Sequence, residues 1–185
     1  MRPPLKILAI PGSLRARSLN RAALVAMHAL APDNLSLEIY PLDDVPLYNG
    51  DLDLDGGPAP VRAFKEAIAA ADGLLIATPE YNYGVPGVLK NALDWASRPA
   101  YRSPLAHKPV ALLGAAASVV GSARAQGQLK QVLLGMLSEV FPYPEVVIGG
   151  AHQRFDGDLR LTDEATREHL GTMLRAYGEW LARRV

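Results

Sequence analysis

Apolar runs alternate with amphipathic stretches along most of the chain. Short apolar runs bounded by polar residues, glycine or proline are typical of parallel strands that are covered on both faces. Three such runs lie at residues 5–10, 73–78 and 109–115. Weaker runs at residues 35–40 and 144–148 predict two further strands. The pattern therefore predicts five strands in all.

Helical patterns fill the gaps between these strands, at residues 20–31, 59–71, 86–98, 123–138 and 163–183. The fourth pattern has an apolar face that continues as far as Val140. Strands that alternate with helices predict an α/β fold, a three-layer sandwich around a parallel sheet. Five strands fit the flavodoxin-like order 2-1-3-4-5.

The length of the chain favours one domain. A chain of 185 residues, of which 49% are hydrophobic, can bury its own core. We therefore expect residues 1–185 to form a single domain. Its one long loop covers residues 41–58, and loops of this length are usually lids or binding loops.

Composition excludes several classes of chemistry. The chain has no cysteine, so disulfides, thiolate catalysis and cysteine-ligated metals are excluded. Lysine plus arginine equals aspartate plus glutamate at 19 each, which argues against nucleic acid as the main partner and favours association between copies. No apolar stretch approaches the ~20 residues that span a bilayer, and the N-terminal run reads as a strand. We expect a soluble, cytoplasmic protein without a membrane partner.

The sequence predicts neither a metal site nor a catalytic acid, base or nucleophile. Residues 51–62 begin like a calcium loop, but Arg62 stands where a bidentate glutamate is needed. The four histidines show no ligand spacing.

The first predicted strand leads directly into a polar loop, GSLRARSLN, at residues 12–20. Ligands of such sheets bind outside the carboxyl ends of the strands. The N–H groups at the start of the next helix, with the side chains of Ser13, Arg15, Ser18 and Asn20, suit one phosphate or phosphate monoester. The loop matches neither the dinucleotide fingerprint nor the P-loop. The alternative is an ordinary strand-to-helix turn capped by a serine or asparagine.

Two later loops carry further candidate chemistry. Residues 78–98, TPEYNYGVPGVLKNALDWASR, combine tyrosines, an amide and a carboxylate, which suits a flat heteroaromatic ring. The tyrosines could instead simply anchor the loop, and we expect Trp95 to lie in the core. Residues 114–133, GAAASVVGSARAQGQLKQVL, offer small residues that allow close approach to the backbone, or form a plain connection.

These segments resemble the NADPH-dependent FMN reductase family of flavodoxin-like proteins, which includes quinone, azo-dye and chromate reductases. The resemblance covers about residues 5–150 and rests on GSLRARSLN, PEYNYGVPGVLKNALDW and GSARAQ. It implies that the FMN phosphate is held by Ser13, Arg15, Ser18 and Asn20. It implies that the flavin ring and ribityl chain lie along Pro79, Glu80, Tyr81, Asn82 and Gly84. Ser118 is a further expected contact, although Ser118 and Ser122 replace glycines usual in the family.

The resemblance also implies an activity. NADH or NADPH would reduce FMN, and a quinone or another small acceptor would then take the electrons in a ping-pong cycle. Backbone amides of residues 79–84 would stabilise charge near flavin N1. Arg15 or Arg17 could also meet the 2′-phosphate of NADPH, although Arg17 could equally be a solvated surface charge. Two alternatives are a flavodoxin-type electron carrier and an FMN-binding regulatory protein without its own NAD(P)H turnover.

The family tends to oligomerise, so a homodimer or homotetramer is expected. In that arrangement the loop at residues 41–58 of one subunit would border the flavin of another. Arg124 and Glu145 are candidates for an ion pair across the subunit contact.

Overall fold

The computed structural model describes residues 3–185 and contains one parallel sheet. Its strands are β1 (Leu5–Pro11), β2 (Leu35–Ile39), β3 (Gly73–Ala77), β4 (Pro109–Ala115), β5 (Glu139–Val140) and β6 (Val146–Ile148). The order is β2-β1-β3-β4-β5, and β6 also pairs with β4. The predicted flavodoxin-like order is confirmed.

The helices cover both faces of the sheet. They are α1 (Leu19–Leu30), α2 (Ala59–Ala70), α3 (Gly87–Ala96), α4 (Ala123–Gly135) and α5 (Glu164–Leu181). Alternate residues of each strand point to opposite faces. Ile7 and Ala9 therefore join the core beneath α1 and α5, whereas Leu8 and Ile10 join the core beneath α2, α3 and α4.

The edge of the sheet beyond β4 differs from the predicted single fifth strand. Glu139 and Val140 pair with the beginning of β4, and residues 146–148 pair with its end. The prediction that Val140 continues the face of a helix is wrong, because α4 ends at Gly135. Leu137 adopts a φ of +63°, and the Ser138 N–H donates to the carbonyl of Leu133 at 3.0 Å. This is a Schellman-type helix end, with leucine where glycine is usual.

Tyr177 joins α5 to the middle of the sheet. Its hydroxyl oxygen lies 3.0 Å from the carbonyl oxygens of both Leu74 and Pro109. Burial raises the pKa of the Tyr177 hydroxyl, so the group remains a neutral donor. A Cβ atom on Gly73 would lie 2.4 Å from this hydroxyl oxygen, so the contact requires glycine there.

The long loop at residues 41–58 is fastened to α3. The Nδ2 of Asn91 and the Nε1 of Trp95 both donate to the carbonyl of Pro46 at 2.8 Å. Trp95 is fully buried, which confirms its predicted place in the core. Within residues 3–185, no helix has both the length and the low polarity that crossing a bilayer requires.

Candidate functional site

Three loops meet at the carboxyl ends of β1, β3 and β4 and enclose a cavity of about 300 Å³. This is the edge where ligands bind in open parallel sheets. The lining residues are Ser13, Arg15, Ser18, Leu19, Asn20, Pro79, Glu80, Tyr81, Ala115, Ala116, Ala117 and Ser118. Eight of the ten predicted site residues are among them; Asn82 and Gly84 lie in the adjoining turn.

The loop after β1 presents hydrogen-bond donors to this cavity. Ser18 caps α1, and its Oγ accepts from the Arg21 N–H at 3.2 Å, which leaves the hydroxyl proton of Ser18 free to donate. In the described chain, the N–H groups of Leu19 and Asn20 find no acceptor within hydrogen-bonding distance. Such unpaired N–H groups at a helix start favour an anion.

The two arginines of this loop differ in their contacts. Arg15 lines the cavity, and within residues 3–185 its guanidinium forms neither a hydrogen bond nor an ion pair. Arg17 is exposed, and its Nη2 donates to the carbonyl of Gly157 at 2.9 Å. Of the two loop arginines, Arg15 is therefore the one whose guanidinium remains available to a ligand within residues 3–185.

Asn20 fastens the start of α1 to the end of β4. Its Nδ2 donates to the carbonyl of Ala115 at 2.9 Å, and its Oδ1 accepts from the N–H of the same residue at 2.9 Å. The side chain is buried. The resemblance implied that Asn20 contacts phosphate; the structure commits its amide mainly to the backbone and leaves one Nδ2 hydrogen.

The loop after β3 closes into a tight turn. The N–H of Tyr81 donates to the carbonyl of Gly84 at 3.1 Å, and the N–H of Gly84 donates back to Tyr81 at 3.0 Å. Asn82 and Tyr83 both have positive φ, +49° and +67°, as in a type I′ turn. The N–H groups of Tyr81 and Gly84, which the resemblance placed beside a ligand, are thus hydrogen-bonded within the turn. In the described chain, the N–H groups of Glu80, Asn82 and Tyr83 donate to no backbone carbonyl.

Glu80 joins this turn to α4. Its carboxylate accepts from the backbone N–H groups of Arg124 and Ala125 at 3.1 and 3.3 Å, and from Arg124 Nε at 2.6 Å. The guanidinium carbon of Arg124 lies 3.9 Å from the centre of the Tyr83 ring. Glu145, the expected partner of Arg124, pairs in this chain with Lys130 at 2.6 Å. Sequence reasoning missed the Glu80 contact because the two segments are far apart along the chain.

The loop after β4 contains the two serines that replace family glycines. Ser122 is buried away from solvent, and its Oγ accepts from Gln126 Nε2 at 3.2 Å. A Cβ atom on Gly114 would lie 1.6 Å from that oxygen, so Ser122 occupies the space beside β4 that Gly114 leaves open. Ser118 lines the cavity, as expected.

A larger cavity, of about 590 Å³, lies at the opposite end of the sheet. Four of its charged side chains already have partners. Lys108 donates to the carbonyl of Ala71, Arg184 pairs with Glu139 at 3.0 Å, and Asp72 accepts from the N–H of Lys6. Desolvation lowers the pKa of Lys108, because burial disfavours its charged form. The smaller cavity is therefore the candidate functional site.

Residues 3–185 contain no group of three or more histidine, aspartate or glutamate side chains placed to hold a metal ion.

Comparison with known proteins identifies relatives over nearly the whole chain. The family model described as NADPH-dependent FMN reductase matches residues 5–153. An NAD(P)H-dependent FMN reductase of Pseudomonas aeruginosa is 46% identical, over 99% of this chain and 98% of its own. A 2-hydroxy-1,4-benzoquinone reductase of Burkholderia sp is 42% identical, over 96% of each chain. A quinone reductase of Escherichia coli K12 is 39% identical, and the alignment covers 99% of this chain and 98% of the reductase.

A solved structure agrees with these relatives. The flavoenzyme NAD(P)H:(acceptor) oxidoreductase FerB of Paracoccus denitrificans superimposes with a TM-score of 0.88 at 34% identity. The superposition covers 97% of this chain and 98% of FerB.

We predict that Asn20→Ala lowers the free energy of unfolding of the ligand-free protein by about 1–3 kcal/mol, because it leaves the peptide groups of Ala115 without partners. Urea denaturation measures the change. Asn34→Ala is the matched control, since Asn34 is exposed and its side chain makes no hydrogen bond in the described chain. Equal losses in the two variants would contradict the bracing role of Asn20.

Proposed function

The chain belongs to the NADPH-dependent FMN reductase family, and from this premise we propose that it is an FMN-dependent NAD(P)H:quinone oxidoreductase. The observation that carries the proposal is the donor-lined cavity at the carboxyl ends of β1, β3 and β4. Its volume of about 300 Å³ lies at the lower end of the usual range for small-molecule sites. We propose that the domain of residues 1–185 carries the whole reaction.

The chemistry of the cavity lining fits FMN. Two serine hydroxyls, two helix N–H groups and one guanidinium border the cavity, and within residues 3–185 the N–H groups and the guanidinium have no partner, which suits a phosphate dianion. The lining contains one carboxylate, and Arg124 already compensates it. We propose that Ser13, Arg15, Ser18 and the N-terminus of α1 hold the phosphate. The segment Pro79–Gly84 and Ser118 would then border the ribityl chain and the ring.

FMN supplies the hydride-transfer chemistry when it is bound, so the protein needs no nucleophile of its own. The residues of this chain contribute position and electrostatics. Arg15 and the start of α1 neutralise the phosphate, and Asn20 keeps the loop after β4 against α1. Tyr81, which lines the cavity, and Tyr83, in the same turn, are exposed, which suits contact with donors and acceptors of different shapes.

The acceptor class follows from the relatives. Proteins of Burkholderia sp and Escherichia coli that are 42% and 39% identical are named as reductases of 2-hydroxy-1,4-benzoquinone and of quinone. We propose small quinones as acceptors for this chain. The alternative electron carrier would bind FMN without reacting directly with NADH or NADPH.

The proposed activity predicts direct reduction by a pyridine nucleotide. Protein loaded with FMN and mixed with NADPH or NADH under argon should lose its visible flavin absorbance, and 1,4-benzoquinone should restore it. Steady-state turnover with each nucleotide then gives the preferred donor. Retention of the flavin absorbance with both nucleotides would support the electron carrier or the FMN-binding regulatory protein, and a preparation unable to bind FMN would contradict the proposal.

The phosphate assignment predicts different effects for the two arginines of the first loop. Arg15→Ala should weaken FMN binding by about 1–3 kcal/mol, because a charge-assisted hydrogen bond is lost. Arg17→Ala removes the same charge from the same loop, but Arg17 is bound to Gly157, so we expect an unchanged dissociation constant. Fluorescence titration of the ligand-free proteins with FMN measures both. Identical dissociation constants for parent and Arg15→Ala would refute the assignment.

We propose that the protein is a cytoplasmic homodimer or homotetramer. Large apolar side chains are exposed in the long loop, in the segment after α3 and on α4, among them Leu47, Leu52, Leu54, Tyr101 and Leu134. Exposed apolar patches mark association surfaces in soluble proteins. Light scattering coupled to gel filtration should give two or four times the mass of one chain. The mass of a single chain at micromolar concentration would contradict this proposal.

A further inference from the structure

The wall of the proposed FMN site contains one carboxylate, that of Glu80. The resemblance to the family places Glu80 beside the flavin but assigns no role to its charge. Glu80 lines the cavity, and its side chain is 7% exposed. A carboxylate withdrawn from water requires compensation by opposite charge and hydrogen bonds. Glu80 receives both from α4: two backbone N–H groups at the start of the helix and the Arg124 guanidinium at 2.6 Å.

Arg124 is held in place from two sides. Its Nε contacts Glu80, and its guanidinium carbon lies 3.9 Å from the centre of the Tyr83 ring. Tyr83 adopts a φ of +67°, a conformation that is strained for a bulky residue and persists only where its surroundings support it. Arg124 thus supports the turn beside the cavity and balances the charge in the cavity wall.

We propose that Arg124 is a positioning residue that sets the reduction potential of bound FMN by compensating Glu80. This inference rests on the proposed function. Reduction adds two electrons to the flavin, and any negative charge that protons do not balance is repelled by an uncompensated carboxylate in the wall. Loss of Arg124 should therefore weaken the binding of reduced FMN more than that of oxidised FMN. Loss of the Glu80 charge should do the reverse.

The test compares four variants: Arg124→Gln, Arg124→Lys, Glu80→Gln and the double variant Glu80→Gln/Arg124→Gln. Each protein is titrated with oxidised FMN, and the midpoint potential of bound FMN is measured by equilibration with a reference dye. Lys130→Gln is the control, because Lys130 lies on the same helix and forms an equally short ion pair away from the cavity. Melting temperatures of the ligand-free proteins report any general loss of stability.

We expect Arg124→Gln to weaken the binding of reduced FMN about tenfold more than the binding of oxidised FMN. For two electrons this difference equals a shift of the midpoint potential by about 30 mV to a more negative value. Glu80→Gln should shift the potential in the opposite direction. The midpoint potentials of the double variant and of Arg124→Lys should lie near that of the parent protein, and the potential of Lys130→Gln should equal it. Opposite potential shifts in Arg124→Gln and Glu80→Gln identify charge compensation. If the ion pair were merely structural, both variants would lose stability, and their potentials would not shift in opposite directions.

An unchanged potential in Arg124→Gln, or shifts of the same sign in Arg124→Gln and Glu80→Gln, would overturn the inference. Should Arg124→Gln fail to fold, Glu80→Gln alone decides, because an unchanged or more negative potential contradicts compensation. Failure of the parent protein to bind FMN would instead overturn the proposed function.

Discussion

The clamp between the Asn20 side chain and the peptide of Ala115 is the contact on which the proposed site depends most. It joins residues 95 positions apart through two hydrogen bonds of 2.9 Å. One partner, Asn20, lies in α1, whose first N–H groups can bind an anion, and the other, Ala115, is the last residue of β4. Because both ends are buried, water does not compete for these bonds, and the spacing between the two loops is set before a ligand arrives. Such preorganisation lowers the entropy that binding must offset.

The contact between Glu80 and α4 preorganises the remaining loop of the site, the one after β3. A turn with two non-glycine residues at positive φ is unfavourable in isolation. Its ends pair with each other, Glu80 caps α4, and Arg124 packs on Tyr83, so the surroundings stabilise the strained backbone. At the base of the site, Ser122 fills the space that Gly114 leaves. The three loops are thus joined through β4 and α4, although they lie far apart along the chain.

The amino-acid pattern predicts the fold because buried strands and amphipathic helices follow from local periodicity. It also identifies most of the cavity lining, since polar loops after buried strands must gather at one edge of the sheet. The end of α4 was misplaced because Leu137 takes the position where glycine usually marks a helix end. The partners of Asn20 and Glu80 were not predictable either. The residue type indicates that an amide or a carboxylate can bind a ligand. Only the tertiary structure shows that the side chains of Asn20 and Glu80 are already hydrogen-bonded to backbone groups.

We propose that braced loops at the ends of β1, β3 and β4 form a preorganised site for the phosphate of FMN. The most direct test is a crystal structure of the protein grown with excess FMN. We expect phosphate oxygens about 3 Å from Ser18 Oγ and from the N–H groups of Leu19 and Asn20. The three loops should move by less than about 1 Å when FMN binds. A phosphate bound elsewhere, or a site that forms only after the Asn20 clamp opens, would refute this proposal.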